Sequence, residues 1–148
     1  MRRGEPIAPS EFLKLLHEDE AFCAQLGRAV LAASLLETQL GEYLRARDVS
    51  VEHKKATLGH LLTMARKHDL LKDMHGVLEM LRDQRNYLAH SLPPLFLGLI
   101  PETLLTRDGL LDSDVDTFTE KAREFTENVS AIADLVVQRQ SEGYRGPR

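Results

Sequence analysis

Cysteine is almost missing from this chain of 148 residues, in which Cys23 is the single example. One cysteine cannot form an internal disulfide, and its place among helix-forming residues suits a reducing compartment. Long apolar runs are also missing, since no stretch approaches the roughly 18 residues that cross a bilayer. The opening segment, "MRRGEPIAPSEF", lacks the apolar centre of a signal peptide. We therefore expect a cytoplasmic protein without membrane contact.

An excess of positive charge is missing as well. The 19 lysines and arginines are outnumbered by 23 aspartates and glutamates, which gives a net charge of −4. This charge offers no general attraction for nucleic acid, so binding of RNA or DNA has to come from a local basic patch. Hydrophobic residues make up 43% and charged residues 28%, as is typical of a globular domain. The chain length predicts one domain with one core.

Strand patterns are nearly absent, apart from a small hairpin expected around Asp108-Gly109. Apolar residues at three- and four-residue spacing predict five helices instead. They are a helix capped by Ser10, a long one from about Glu20 to Arg47, a third capped by Thr57, a fourth from about Leu70 to Ser91, and a last one capped by Ser113 with Asp116. We therefore predict an all-α, up-and-down bundle of four to five helices at residues 10–140, with a flexible N-terminus at 1–9 and a flexible tail at 141–148.

Two of these helices each carry one charged residue on an otherwise apolar seam. In the second helix Glu37 interrupts a seam of Cys23, Leu26, Val30, Ala33, Leu40 and Leu44. In the fourth helix Arg85 interrupts a seam of Leu71, Met74, Leu78, Leu81, Leu88 and Leu92. An unpartnered buried charge is costly, so we expect Glu37 and Arg85 to face each other. The second helix is apolar most of the way round, which places it centrally or at a subunit contact.

The helix that carries Arg85 also carries two polar residues suited to phosphate chemistry. Asn86 and His90 lie four positions apart and share one helix face beside Arg85. A guanidinium binds phosphate oxygens in a fork, an imidazole exchanges a proton near neutral pH, and an amide orients either group. In RNA the 2′-hydroxyl is a built-in nucleophile, so these groups suffice without a metal or another cofactor.

At these residues the chain resembles the HEPN domain family. The family motif is an arginine, a polar residue that is usually asparagine, three variable residues and a histidine, and Arg85, Asn86 and His90 match it. The segments "LLETQLGEYL", "TLGHLLTMARKH" and "LRDQRNYLAH" look like successive HEPN helices, within a resemblance that covers about residues 22–137.

The resemblance implies a helical homodimer that brings two motifs into one cleft and cleaves RNA without metal, with the histidine and the arginine essential. Many members are toxins or antiviral effectors, which implies an antitoxin protein as a further partner. Toxins paired with nucleotidyltransferase antitoxins carry a tyrosine two residues after the histidine, where this chain has Leu92. Silencing by nucleotide addition at that position is therefore not implied.

Other residues are candidates for contacts with RNA, although solvated charges and packing residues are the commoner roles. Tyr87 could stack on a base. A local basic surface would comprise Arg82, Arg85, Lys54, Lys55, Arg66 and Lys67. We expect no bound metal, because the histidines are spaced by seven or eight residues and not by the four of a helical zinc site: His53, His60, His68 and His75.

Three functions stay open at this point. The leading hypothesis is a HEPN-type, metal-independent endoribonuclease in which His90 acts as acid or base, Arg85 stabilises phosphate charge, Asn86 orients either group and Glu37 aims Arg85. The alternative is a non-catalytic helical dimer that binds a protein partner or nucleotide and uses the same polar residues as ligands. Separately, the Glu37–Arg85 pair could fix helix register with no catalysis. A toxin or phage-defence role is compatible with the first and would show as growth arrest that depends on His90.

Overall fold

The computed structural model describes residues 3–52, 56–90 and 110–143, with residues 86–90 and 110 described in their backbone only. Its elements are β1 (Pro6–Ile7), α1 (Pro9–Glu18), α2 (Glu20–Arg45), α3 (Leu58–Lys67), a 3₁₀ turn (Lys72–Met74), α4 (His75–His90), β2 (Leu110–Leu111) and α5 (Asp114–Gly143). These residues are mostly helical, which confirms the all-α prediction. No helix among them is both long and apolar enough to span a bilayer.

The helix starts follow from local chemistry. Asp19 separates α1 from α2, and its carboxylate accepts a hydrogen bond from the N–H of Phe22 at 2.7 Å. Thr57 caps α3 as predicted, since its hydroxyl oxygen accepts from the N–H of His60 at 3.3 Å. The predicted cap at Ser10 is wrong. Helix α1 already begins at Pro9, because the first turn of a helix needs no N–H donor there and proline fits it.

The joint between α3 and α4 lies near Asp69, as predicted. Asp69 and Leu71 both have a φ of 55°, in the left-handed region, and they redirect the chain ahead of the 3₁₀ turn. The Nε2 atom of His75 lies 2.7 Å from the carbonyl oxygen of Leu70 across this joint. Helix α4 therefore begins at His75 and not at Leu70.

Two hydrophobic clusters form the core. The larger one joins the C-terminal parts of α2 and α5 to α3 and α4, through side chains that include Leu40, Leu78 and Val136. The smaller one joins α1 to the beginnings of α2 and α5, where the rings of Phe12 and Phe118 meet edge to face at 5.0 Å. Helices α2 and α5 contribute to both clusters and are the central pair of the fold.

Polar contacts at the helix ends fix the helix directions. Just after α2, Arg47 donates hydrogen bonds to the carbonyl oxygen of Arg139 and to the side chain of Gln140, near the end of α5. Since both helices also begin in the smaller cluster, α2 and α5 run in the same direction. Helix α4 runs against them, because Asp73 just before it contacts Arg139 while Arg85 near its end contacts α2.

Helix α3 runs against α4, since Gly59 at its start contacts Arg82 and Arg66 near its end contacts Glu79. Helices α2, α3 and α5 therefore share one direction, and α4 has the other. The strict up-and-down order predicted from the sequence is not observed. Val51 contacts Arg45 at the end of α2, whereas Leu58 at the start of α3 contacts Glu37, so two consecutive helices point the same way.

The buried face of α2 differs from the predicted seam in its first half. Cys23 and Val30 are exposed, whereas Phe22 and Ala29 are buried. The face is rotated by one residue, because the large Phe22 ring occupies the smaller cluster. From Ala33 onward the predicted seam is correct. Helix α5 continues to Gly143, past the expected start of the tail at 141, and buries one face: Val115, Phe118, Ala122, Phe125, Val129, Ala133 and Val136.

Strand β1 was not predicted, and it lies within the segment 1–9 that we expected to be flexible. It pairs antiparallel with β2. The Asp112 carboxylate accepts hydrogen bonds from the N–H groups of Gly4 and Glu5, at 2.8 and 2.9 Å. The chain is thereby attached to the start of α5 from Gly4 onward. The hairpin predicted at Asp108-Gly109 lies outside the described residues.

The ion pair between Asp73 and Arg139 makes the free energy of unfolding change with pH in the acidic range. Arg139 donates hydrogen bonds of 2.9 and 2.6 Å to the two Asp73 oxygens, which lowers the pKa of Asp73 below its ordinary 3.8. A carboxyl whose pKa is lower in the folded than in the unfolded state stabilises the fold at pH values above the unfolded-state pKa. This contribution is lost as the pH falls through the folded-state pKa. We expect Asp73→Asn to lower the unfolding free energy at neutral pH, with the difference from wild type shrinking below about pH 4.

Urea titrations at neutral and acidic pH measure this difference. Asp134→Asn, at an exposed position of α5, is the matched control and should show no such trend. A difference between wild type and Asp73→Asn that stays constant into acid would contradict the assignment.

Candidate active site

Arg85 continues a buried apolar seam that begins ahead of α4 and runs along it. Leu71, Met74, Leu78 and Leu81 precede it at three- or four-residue spacing, and all four are buried, as predicted. The Arg85 side chain keeps 29% of its surface exposed. The seam therefore passes at Arg85 from the core to the surface, where a ligand can reach the guanidinium.

Glu37 of α2 and Arg85 of α4 form the predicted pair. Glu37 Oε1 lies 3.6 Å from Arg85 Nε, and the Glu37 side chain is only 12% exposed. The second carboxylate oxygen, Oε2, accepts a hydrogen bond from the backbone N–H of Leu58 at 2.7 Å. Leu58 is the first residue of α3, where N–H groups lack a partner within the helix and the dipole favours negative charge. One carboxylate therefore joins three helices.

The contact with Glu37 does not use the outer edge of Arg85. It is made through Nε, and no described residue forms a hydrogen bond with either Nη group. A guanidinium binds phosphate oxygens through pairs of N–H groups. Arg85 can therefore bind an anion while Glu37 keeps its orientation.

The other two motif residues lie on the same helix end. Helix α4 is continuous to His90, so Asn86 and His90 follow Arg85 within an axial rise of about 7.5 Å. The side chains of several predicted site residues lie outside the described residues, and their roles stay predictions: Asn86, Tyr87, His90, Lys54 and Lys55.

Arg82, a predicted RNA-binding residue, is held by acidic neighbours. Its Nε and Nη2 atoms donate to Asp83 Oδ1 at 3.0 and 2.9 Å, and Nη2 lies 3.6 Å from Glu79. Glu79 also pairs with Arg66 at 2.7 Å. Two arginines of the predicted basic surface are thus already paired with exposed carboxylates, as Arg85 is with the largely buried Glu37.

A cleft of about 330 Å³ adjoins the Glu37–Arg85 pair. This cleft was not predicted from the sequence, although a signal is present, because small and polar residues recur at three- and four-residue spacing along α2 from Ser34 to Arg45. The cleft is lined by Ser34, Glu37, Thr38, Gly41, Glu42, Arg45 and Ala56.

The described ranges contain no group of three histidine, cysteine, aspartate or glutamate side chains that could hold a metal ion. Comparisons with protein-family models, with curated proteins and with solved structures find no match for this chain. The geometry of the site is thus the basis on which its function is inferred.

Two replacements of Glu37 distinguish the contribution of its ion pair with Arg85 from that of its hydrogen bond with Leu58. Glu37→Ala removes both the ion pair and the acceptor for the Leu58 N–H, and we expect it to lower the unfolding free energy by about 1–3 kcal/mol. Glu37→Gln keeps an oxygen that can accept from Leu58, so its loss should be smaller. Chemical denaturation of both variants measures the difference.

Glu79→Ala removes an exposed carboxylate from a surface ion-pair network and serves as the control, with an expected loss below about 1 kcal/mol. Equal losses for Glu37→Ala and Glu37→Gln would show that the hydrogen bond to Leu58 contributes nothing.

Proposed function

We propose that this protein is a metal-independent endoribonuclease of the HEPN type. The single observation that carries the proposal is the Arg85 guanidinium, which pairs with Glu37 through Nε, forms no hydrogen bond through its Nη groups to any described residue, and precedes His90 by about 1.4 turns of the same helix. The match of Arg85, Asn86 and His90 to the HEPN motif supports the same conclusion. A cation that binds phosphate oxygens and an imidazole that transfers a proton are the groups that phosphodiester cleavage requires.

The reaction proposed is transesterification within RNA. A base removes the proton of the 2′-hydroxyl, the 2′-oxygen attacks phosphorus, and the bond to the 5′-oxygen breaks as that oxygen takes up a proton. The products are a 2′,3′-cyclic phosphate and a 5′-hydroxyl. His90 transfers the proton, Arg85 stabilises the charge that develops on the phosphate oxygens, and Asn86 orients His90 or the phosphate.

We further propose that two copies combine to form the active unit. Helix α2 exposes three large apolar side chains on the side away from the core: Val30 at 43%, Leu31 at 71% and Leu35 at 49%. The second copy is the expected occupant, because the exposed face leads directly along α2 into the cleft beside Glu37. Contact between two such faces would bring both Arg85 sites to one groove between the copies.

A cleavage assay in excess chelator tests the activity. We expect the wild-type protein to cut RNA into fragments with cyclic phosphate ends, and Arg85→Ala and His90→Ala to reduce the rate by about 10²–10⁴-fold. Thermal unfolding of each variant confirms that it is folded.

Arg123→Ala is the matched control, since Arg123 pairs with Glu120 and Glu127 on α5 and has no role in the proposed site. Binding of RNA without turnover would favour the non-catalytic alternative. Undiminished cleavage by His90→Ala would contradict the proposed chemistry.

Charge placed on the α2 face tests the dimer. Leu31→Glu buries a carboxylate in the proposed interface, so we expect it to yield monomers and to lower cleavage at the same protein concentration. Sedimentation equilibrium measures the association.

Leu135→Glu, at a residue of α5 with 42% exposure, is the matched control and should leave the association unchanged. A wild-type protein that is monomeric at all concentrations, or a dimer that tolerates Leu31→Glu, would exclude this interface.

A further inference from the structure

A continuous exposed seam runs along the outer side of α2. Its members follow one another at spacings of four and three residues, and all of them are exposed: Ala24, Arg28, Leu31, Leu35, Thr38 and Glu42. Alternate spacings of three and four are typical of a helix that packs along its length against a second helix. Because all six residues are exposed, no element among the described residues covers this seam.

The seam has opposite charges on the two sides of its leucines. Arg28 lies about one turn before Leu31, and Glu42 lies about two turns after Leu35. Neither charged side chain forms a hydrogen bond or an ion pair with any described residue. Both charges are therefore available to a partner that covers the two leucines.

A glycine beside the seam points to close contact with another helix. Gly27 lies inside α2, where glycine is less favourable than alanine. A Cβ added to Gly27 would meet nothing within 4 Å, so packing within this chain does not require glycine there. Together with Ala24 it gives the first part of the seam a low profile that lets a partner backbone approach.

The order of the charges determines the direction in which a second copy of α2 can lie on the seam. In a parallel pair Arg28 would face Arg28 of the second copy, and the two Glu42 carboxylates would also meet. Both contacts would repel. In an antiparallel pair each arginine approaches the carboxylate of the other copy, and the two-fold axis makes this contact twice.

The spacing of the seam also determines the register. Its midpoint lies midway between Leu31 and Leu35, so an antiparallel pair centred there places Leu31 of each copy against Leu35 of the other. Arg28 then lies level with Thr38 of the second copy. Glu42 follows Thr38 by one turn, which is about 6 Å along the helix, and two long side chains span this distance.

The cleft on α2 lies at this end of the seam and offers acceptors to a cation. Ser34 Oγ and Thr38 Oγ1 each donate to a backbone carbonyl oxygen at 3.0 Å, so their lone pairs remain for a ligand. Glu42 adds a carboxylate, and all three residues line the cleft. Arg45 at the same cleft already donates to the carbonyl oxygen of Val51. A guanidinium, with five donors and no acceptor, suits these groups.

We propose that two copies of the chain associate through antiparallel α2 helices, and that Arg28 of each copy enters the α2 cleft of the other and pairs with Glu42. The inference deepens the dimer of the proposed function and rests on it. It supplies the direction, the register and the charge pair by which the α2 face selects a second copy of this chain.

Reversal of the two charges tests the pairing by sedimentation equilibrium of the full chain. We expect Arg28→Glu and Glu42→Arg each to raise the dissociation constant about tenfold or more, because each change places like charges together at two symmetric positions. The double variant Arg28→Glu/Glu42→Arg restores opposite charges at both positions. Its dissociation constant should return to within about threefold of the wild-type value.

Lys14→Glu is the matched control for the change in charge, since Lys14 is exposed on the side of α1 opposite its buried Phe12 and Leu16. It should associate as the wild type does. Single variants that associate like the wild type, or a double variant no tighter than the single ones, would overturn the proposal. A wild-type chain that stays monomeric at all concentrations would also overturn it, since the seam would then belong to a different partner.

A distance between spin labels on Cys23 tests the direction separately. Cys23 is the single cysteine of the chain and is exposed on α2. It lies ten residues before the proposed midpoint of the seam, so an antiparallel pair separates the two labels by about 30 Å along the helix axis. A parallel pair would hold them within about 20 Å, because packed helices lie about 8–10 Å apart. Double electron–electron resonance measures this distance, and the shorter value would reject the antiparallel pair.

Both measurements are made without RNA, so they distinguish failure of this interface from failure of the proposed function. A chain that shows the expected charge dependence and label distance but does not cut RNA rejects the ribonuclease and leaves the interface. A chain that cuts RNA and associates without any dependence on Arg28 and Glu42 rejects the interface alone.

Discussion

The carboxylate of Glu37 is the contact on which the arrangement of the site depends. Its side chain is largely buried at the junction of α2, α3 and α4, where an uncompensated charge would be unfavourable. The N–H of Leu58 and the guanidinium of Arg85 compensate this charge from two sides. The carboxylate thereby fixes where α3 begins and which way Arg85 points. Stability and candidate function share this contact, because the same atoms satisfy a helix end and aim a cation.

The position of Arg85 depends equally on the other end of α4. Arg139 of α5 binds Asp73 just before α4, and Arg47 after α2 binds the last turns of α5. Helix α4 is therefore attached to the central pair α2 and α5 near both of its ends, with a buried apolar seam between. A guanidinium on a helix held in this way keeps its direction without a ligand. Such preorganisation lowers the cost of binding a charged transition state.

Features set by strong local or pairwise constraints could be predicted from the sequence. The Thr57 cap depends on residues three positions apart, and the Glu37–Arg85 pair follows from the need to compensate charge on two apolar seams. The other features depend on partners distant in the chain. Strand β1 has two residues and exists only through β2 and Asp112. The first half of α2 offers Cys23 or Phe22 to the core at equivalent spacing, and the rings of α1 and α5 decide in favour of Phe22.

The cleft could not be predicted for a similar reason, since Ala56 lines it only because the start of α3 lies against Glu37 in the middle of α2. The charges of the described surface bear on how a chain with a net charge of −4 would bind RNA as proposed. Glu79 and Asp83 pair with Arg66 and Arg82, so these two arginines contribute little long-range attraction for phosphates. Counterion release would then add little to the affinity, and contacts with the bases would have to provide a larger share of the binding free energy.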